Sequence, residues 1–302
     1  MENITQMVML SDASLVYYVI DFIIIMGFMA ILKFLAGSIS DVSLKEILSK
    51  QDNFAAGITM AGAIIAIAIL MMGVASGEAG HSYSNEATLM IVYGVAAIAF
   101  MWLTRKIFDR FILSKISIHN EIINGNIAAG IIDAFNMIAS AIIIRGAMTW
   151  VDGSTFLGLL VVAIIFVLSQ IILLMATIYR SKVFDSRHQA SGRTLQSELQ
   201  SGNIALAIRF SGHRLGLGLA LTAASGVVIY DPQMLVSSII AWLLVAIGLF
   251  LLQLLLAIIL RHIILSGVNV GEEVGEQRNV AIGSIEAAIY VGIGLIFIGL
   301  LV

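Results

Sequence analysis

A chain of 302 residues that is 60% hydrophobic and 12% charged, with a mean hydropathy of +1.04 and a net charge of −3, lies far from soluble composition. Soluble domains are about 45–50% apolar and about 25% charged, so lipid is the expected solvent. The absence of cysteine excludes disulfides, thiolate metal sites and thiol catalysis, and the single proline leaves long helices uninterrupted.

Residues 1–14 lack the positive n-region of a signal peptide, so the first hydrophobic run is expected to remain as a helix. A hydrocarbon core about 30 Å thick takes roughly 20 apolar residues in helical form. About eight stretches meet that length: Leu15–Leu35, Phe54–Ala75, Ala87–Leu103, Ile127–Met148, Phe156–Ile178, Ile204–Ile229, Val236–Leu260 and Val280–Val302. A water-soluble bundle would show a polar face on such helices.

Odd-numbered stretches are followed by long polar loops, near 36–53, 104–125, 179–202 and 261–279. These loops carry Lys45, Lys50, Arg105, Lys106, Arg110, Lys115, Arg180, Lys182, Arg187, Arg193, Arg261 and Arg278, while the short connections and the N-terminus carry no Lys or Arg. The positive-inside rule then places the long loops in the cytoplasm and both termini on the outer side. The segment Thr104–Ile122 alternates cationic and apolar residues, and either extends the third helix or lies along the inner surface.

Self-similarity is the most specific signal. Each even-numbered helix opens alike, at Asn53, Asn126, Asn203 and Asn279, asparagines 73, 77 and 76 residues apart. Alanine follows two residues later (Ala55, Ala128, Ala205, Ala281), and Gly or Ala four residues later. Asparagine at a helix start accepts a hydrogen bond from an orphan N–H, and small residues let a neighbouring helix approach. The functional alternative is four helix N-termini converging on a vestibule that attracts anions. Acidic residues just upstream (Glu46, Glu121, Glu198, Glu273) offset those dipoles and equally suit a cation-attracting ring.

Units one and three share small residues (Ala61-Gly62 against Ser211-Gly212), and units two and four share an acid seven residues past the asparagine (Asp133, Glu286). The expected fold class is therefore all-α. It is a polytopic membrane bundle of about eight helices in two tandem four-helix domains, 1–152 and 153–302, each made of two parallel helix-pair repeats.

The signature Gly125-Asn126-Ile127-Ala128 and Gly202-Asn203-Ile204-Ala205 resembles that of the YjfL-type bacterial inner-membrane proteins, a domain-of-unknown-function family built on a four-helix membrane unit. Asp52-Asn53 and Arg278-Asn279 depart from its glycine. The resemblance covers nearly the whole chain as two copies. It implies an inner-membrane location and, by association, envelope-stress and polyamine-related systems, and it brings no site residues.

Ionisable residues inside membrane helices are functional hypotheses by default. These are Asp21, Asp133 and Glu286 against Arg145, Arg209 and Arg214, with His213 and Asn136 nearby. At about 1.5 Å of rise per residue, Asp133, Glu286 and Arg209 lie roughly 9–11 Å past their helix starts and His213 and Arg214 roughly 15–17 Å, depths that allow one buried cluster. Asp21 and Arg145 in the outer third are expected to pair separately. Two readings stand: buried ion pairs that fix helix register, and a hydrated path lined by Glu286, Asp133 and His213 with arginines exchanging partners. Gln170 and Gln253 read as interhelical hydrogen-bond partners, and Gly212–Gly216 as a close-packing spacing.

The five histidines are scattered, and neither a nucleophile elbow nor a dinucleotide fingerprint is present, so no enzyme activity, cofactor or metal site is expected. Mixed charge in the loops suits lipid headgroups rather than nucleic acid. The expected partners are the bilayer and a cytoplasmic or peripheral membrane protein, and a homo-oligomer stays open. Ion, proton or small-cation permeation or transport is the leading expectation; a scaffold whose cytoplasmic loops recruit an envelope-stress partner is the rival.

Overall fold

A computed structural model describes residues 12–39, 45–75, 82–113, 115–151 and 156–302. The expected domain split between 152 and 153 and part of the first long loop, 40–44, lie outside the described residues. Among those described, the structure is helical and contains no strand. The long helices are α1 (Asp12–Ile39), α2 (Phe54–Ala75), α3 (Tyr83–Ile107), α5 (Ile127–Trp150), α6 (Phe156–Arg187), α8 (Ile204–Val227), α9 (Leu235–Ile264) and α11 (Val280–Leu301). Three six-residue helices precede the later cap asparagines: α4 (Ile118–Ile123), α7 (Leu195–Gln200) and α10 (Val270–Gly275). A π-helical turn at Glu46–Lys50 takes that place in the first unit.

Seven of the long helices are long and apolar enough to cross a membrane, whereas the apolar stretch described in α1, Leu15–Ile31, is shorter. A multi-pass membrane protein is the architecture. Several helices outrun their expected ends: α3 starts at Tyr83 and continues through a π turn at Phe108–Ile112, and α6 reaches Arg187. The Thr104–Ile122 segment thus extends the third helix before α4 begins.

The cap helices form a row, α2 on α5, α5 on α8 and α8 on α11, while α1, α3, α6 and α9 lie beside it. The middle pair, α5 and α8, is buried along 78% of the apolar stretch, against 33% for the end members α2 and α11. Small residues permit the spacing. A Cβ added to Gly130 would stand 2.6 Å from the carbonyl oxygen of Ala55, and one on Gly283 would stand 2.5 Å from that of Ala205. Gly62 meets Ala134 and Gly212 meets Ala287 in the same two interfaces. The central interface uses different positions, with Gly218 against Ala139 and Gly146 against Thr222. At the end away from the short helices, Trp150 Nε1 donates to the Val228 carbonyl at 2.6 Å and ties α5 to α8.

Candidate functional site

The polar end of the bundle is built from the four asparagines. Each side-chain oxygen accepts from a backbone N–H in the first turn of its own helix: Ala56 for Asn53, Ala129 for Asn126, Leu206 for Asn203, and Ala281 with Ile282 for Asn279. Such caps satisfy orphan donors at a helix start. The residue before each asparagine is left-handed in all four units: Asp52 (φ 48°), Gly125 (φ 83°), Gly202 (φ 80°) and Arg278 (φ 54°). The two departures from glycine therefore keep the glycine's conformation, which costs an L residue roughly 1–2 kcal/mol.

The amide half of the side chain looks outward to the next unit. Asn53 Nδ2 donates to the carbonyls of Ile122 and Ile123, Asn126 Nδ2 to those of Leu199 and Gln200, and Asn203 Nδ2 to that of Val274. Those carbonyls close the following short helix and have no partner within it. Three of the upstream acids accept from their own asparagine, Glu121 from Asn126, Glu198 from Asn203 and Glu273 from Asn279. These acids are thus part of the cap lattice, engaged neither as a cation ring nor against the helix dipoles. Arg278 and Arg193 also pair with Glu198.

The intramembrane charges separate into distinct groups rather than the single cluster expected from depth. Asp133 on α5 pairs with Arg105 of α3 at 2.8 Å. Glu286 on α11 receives both Arg209 Nε from α8 and Arg261 from α9, the latter at 3.1 Å. Arg214 sits at the α5–α8 junction, its Nε on Asn136 Oδ1 at 2.8 Å, its Nη1 on Thr177 Oγ1 at 3.4 Å and its guanidinium over the Phe108 ring. Depth alone misleads because α5 and α11 are not neighbours in the row. The expected Asp21–Arg145 pair is likewise not formed: the Asp21 carboxyl lies beside that of Glu86 on α3, and Arg145 packs against Gly73 of α2 with its buried Nε unpartnered.

Around Glu286 the second half of the chain builds more. Arg180 donates to Tyr290 Oη at 2.7 Å with its guanidinium 4.7 Å from the ring centre, and the His213 ring meets the same tyrosine edge-on at 4.6 Å. Gln253 Nε2 holds the Tyr290 carbonyl at 3.1 Å. A cavity of about 220 Å³ opens beside this group, lined by Arg180, Arg187, Arg209, Arg261, His188 and Tyr290 among others. Four arginines thus line the cavity, and two of them, Arg209 and Arg261, also engage the Glu286 carboxylate.

The sequence profile described as Domain of Unknown Function (DUF350) matches residues 5–148 and again residues 153–301. The chain belongs to the DUF350 family. Comparison with curated proteins and with solved structures returned no match.

Each DUF350 copy sets an acid seven residues past its second asparagine and pairs it with an arginine in the last turn of the preceding long helix, Asp133 with Arg105 and Glu286 with Arg261. The places of Arg209, His213 and Tyr290 are taken in the first DUF350 copy by Thr59, Ala63 and Met137. Sequence reasoning missed Arg105, Arg180 and Arg261 by assigning them to loops. Each is the first or second cation past an odd-numbered apolar stretch, and helices longer than the stretch turn these side chains back along the bundle.

Proposed function

We propose that the protein is an ion-handling transporter of the bacterial inner membrane whose second DUF350 copy receives a small anion from the cytoplasm. The observation that carries the reading is the cavity lined by Arg180, Arg187, Arg209 and Arg261 beside one doubly engaged carboxylate. Arginine forks in a partly desolvated site favour oxyanions bound through two parallel N–H donors. A cation would instead meet net positive charge there, and Asp133 and Glu286 are both tied to arginines, so the anion is the better-matched passenger. Tandem repeats in one orientation and a site near the repeat interface suit transport. The excess of Lys and Arg at the short-helix end supports a cytoplasmic orientation for the cavity mouth.

The test is uptake into proteoliposomes that contain the full chain. Radiolabelled phosphate or sulfate is expected to accumulate saturably, and Arg180→Gln to reduce the initial rate at least tenfold. Movement of rubidium or protons with no anion uptake would overturn the reading.

A second reading, a scaffold that recruits an envelope-stress partner, has one observation in its favour. The long loops fold into short helices cross-linked by asparagine amides and by Arg278–Glu198, which makes an ordered platform. Capture of a partner lost on Arg193→Glu, with no flux under any gradient, would favour it.

A further inference from the structure

We propose that the row of cap helices continues from one copy of the chain to the next, with α11 of one copy docking on α2 of another. Lipid can cover any apolar face, so exposure by itself decides nothing here. What decides is that the row contains two kinds of interface and that its two free ends are complementary halves of one kind.

The α2–α5 and α8–α11 interfaces are alike, each joining a glycine nine residues past one asparagine (Gly62, Gly212) to an alanine eight residues past the next (Ala134, Ala287). The α5–α8 interface is the other kind. There Ala139 and Gly146, thirteen and twenty residues past Asn126, press on Gly218 and Thr222 of α8. The same two places on α11 are Gly292 and Gly299, and a Cβ built on either meets nothing within 4 Å. On α2 the matching face is also vacant. Among the described residues Gly57 has nothing within 4 Å and Ala61 is exposed, whereas their α8 counterparts Ala207 and Ser211 are buried. Ala68 stands where Gly218 stands on α8. Thus α11 presents an α5-like face and α2 an α8-like face, and neither is used within one chain among the described residues.

The cap lattice ends in the same way. Three asparagines donate to the carbonyls closing the next unit's short helix, but among the described residues Asn279 Nδ2 donates only to Glu273 of its own unit. At the opposite end, the carbonyls of Ser49 and Lys50, which hold the places of Ile122 and Ile123 counted from the following asparagine, receive no asparagine amide among the described residues. One contact, α11 on α2 of a second copy, would supply both missing partners. Because the face on α11 differs from the face on α2, the contact is head-to-tail, giving a ring if the rotation closes and a ribbon if it does not. All copies keep the same orientation across the membrane, as the units within a chain do.

The natural chain contains no cysteine, so paired cysteines report the contact without background. The full chain carrying both Ala68→Cys and Gly292→Cys, oxidised in native membranes, is expected to give a ladder of dimers, trimers and higher species. A mixture of copies carrying only Ala68→Cys with copies carrying only Gly292→Cys is expected to stop at dimers. Native mass spectrometry of the unsubstituted chain from lipid nanodiscs should show several copies. Gly292→Leu should return it to one copy with unchanged helicity and melting, since that face is open in the single chain. A monomeric natural chain with no cross-linked ladder would overturn the proposal, as would dimers formed by Gly292→Cys copies alone, which require α11 against α11. These readouts do not depend on flux, so the assembly can fail while the anion reading stands.

Discussion

In the first DUF350 copy, Asp133 pairs with Arg105 as its one salt-bridge partner among the described residues, and Thr59, Ala63 and Met137 fill the places that Arg209, His213 and Tyr290 hold in the second. The second copy keeps the asparagine caps, the left-handed residue before each, and the glycine–alanine contacts, then surrounds Glu286 with Arg209, Arg261 and an Arg180–Tyr290–His213 stack. What the copies share is therefore the means of packing parallel helices in a row. What they do not share, among the described residues, is the set of Arg209, His213 and Tyr290 that adjoins the cationic cavity, and that is where a passenger would be recognised.

The largest effect should fall on the unshared chemistry. Glu286→Ala leaves Arg209 and Arg261 facing each other with no carboxylate, and is expected to lower stability by about 3 kcal/mol in thermal unfolding in detergent. Gly130→Val and Gly283→Val break the shared architecture and should each cost about 2 kcal/mol, the same in both copies, because each drives a side chain into a facing carbonyl. Unequal losses would show that the two interfaces are not equivalent. Asn203→Ala removes a cap and leaves the Val274 carbonyl unmet, for a loss of about 1.5 kcal/mol. Asp133→Ala should cost the least, about 1 kcal/mol, since the 30% exposed side chain of Arg105 can turn to water or headgroups. It should leave anion uptake intact.

The row of helices was legible because its causes are local. Asparagine at each helix start, alanine two residues on and a small residue two further are visible without any knowledge of neighbours, and they predicted both the caps and the close contacts of Gly130 and Gly283. Charge pairing was not legible, since depth along a helix says nothing about which helix stands beside it. Asp133 and Glu286 lie at equal depth, yet α5 and α11 are separated by α8. Glu86 escaped notice because α3 begins four residues before its apolar stretch, so the carboxyl that meets Asp21 read as a loop residue. Arg180 and Arg261 were hidden for the same reason at the other helix ends. The outward half of each asparagine side chain, which links one unit to the next, has no sequence signal at all beyond the repeat itself.

The division of labour between the copies is most directly tested by comparing Arg261→Gln with Arg105→Gln, the paired arginines of the two halves, in phosphate uptake by proteoliposomes. Uptake lost with Arg261→Gln and retained with Arg105→Gln is the predicted result. Equal loss from both substitutions, or from neither, would contradict a passenger site confined to the second copy.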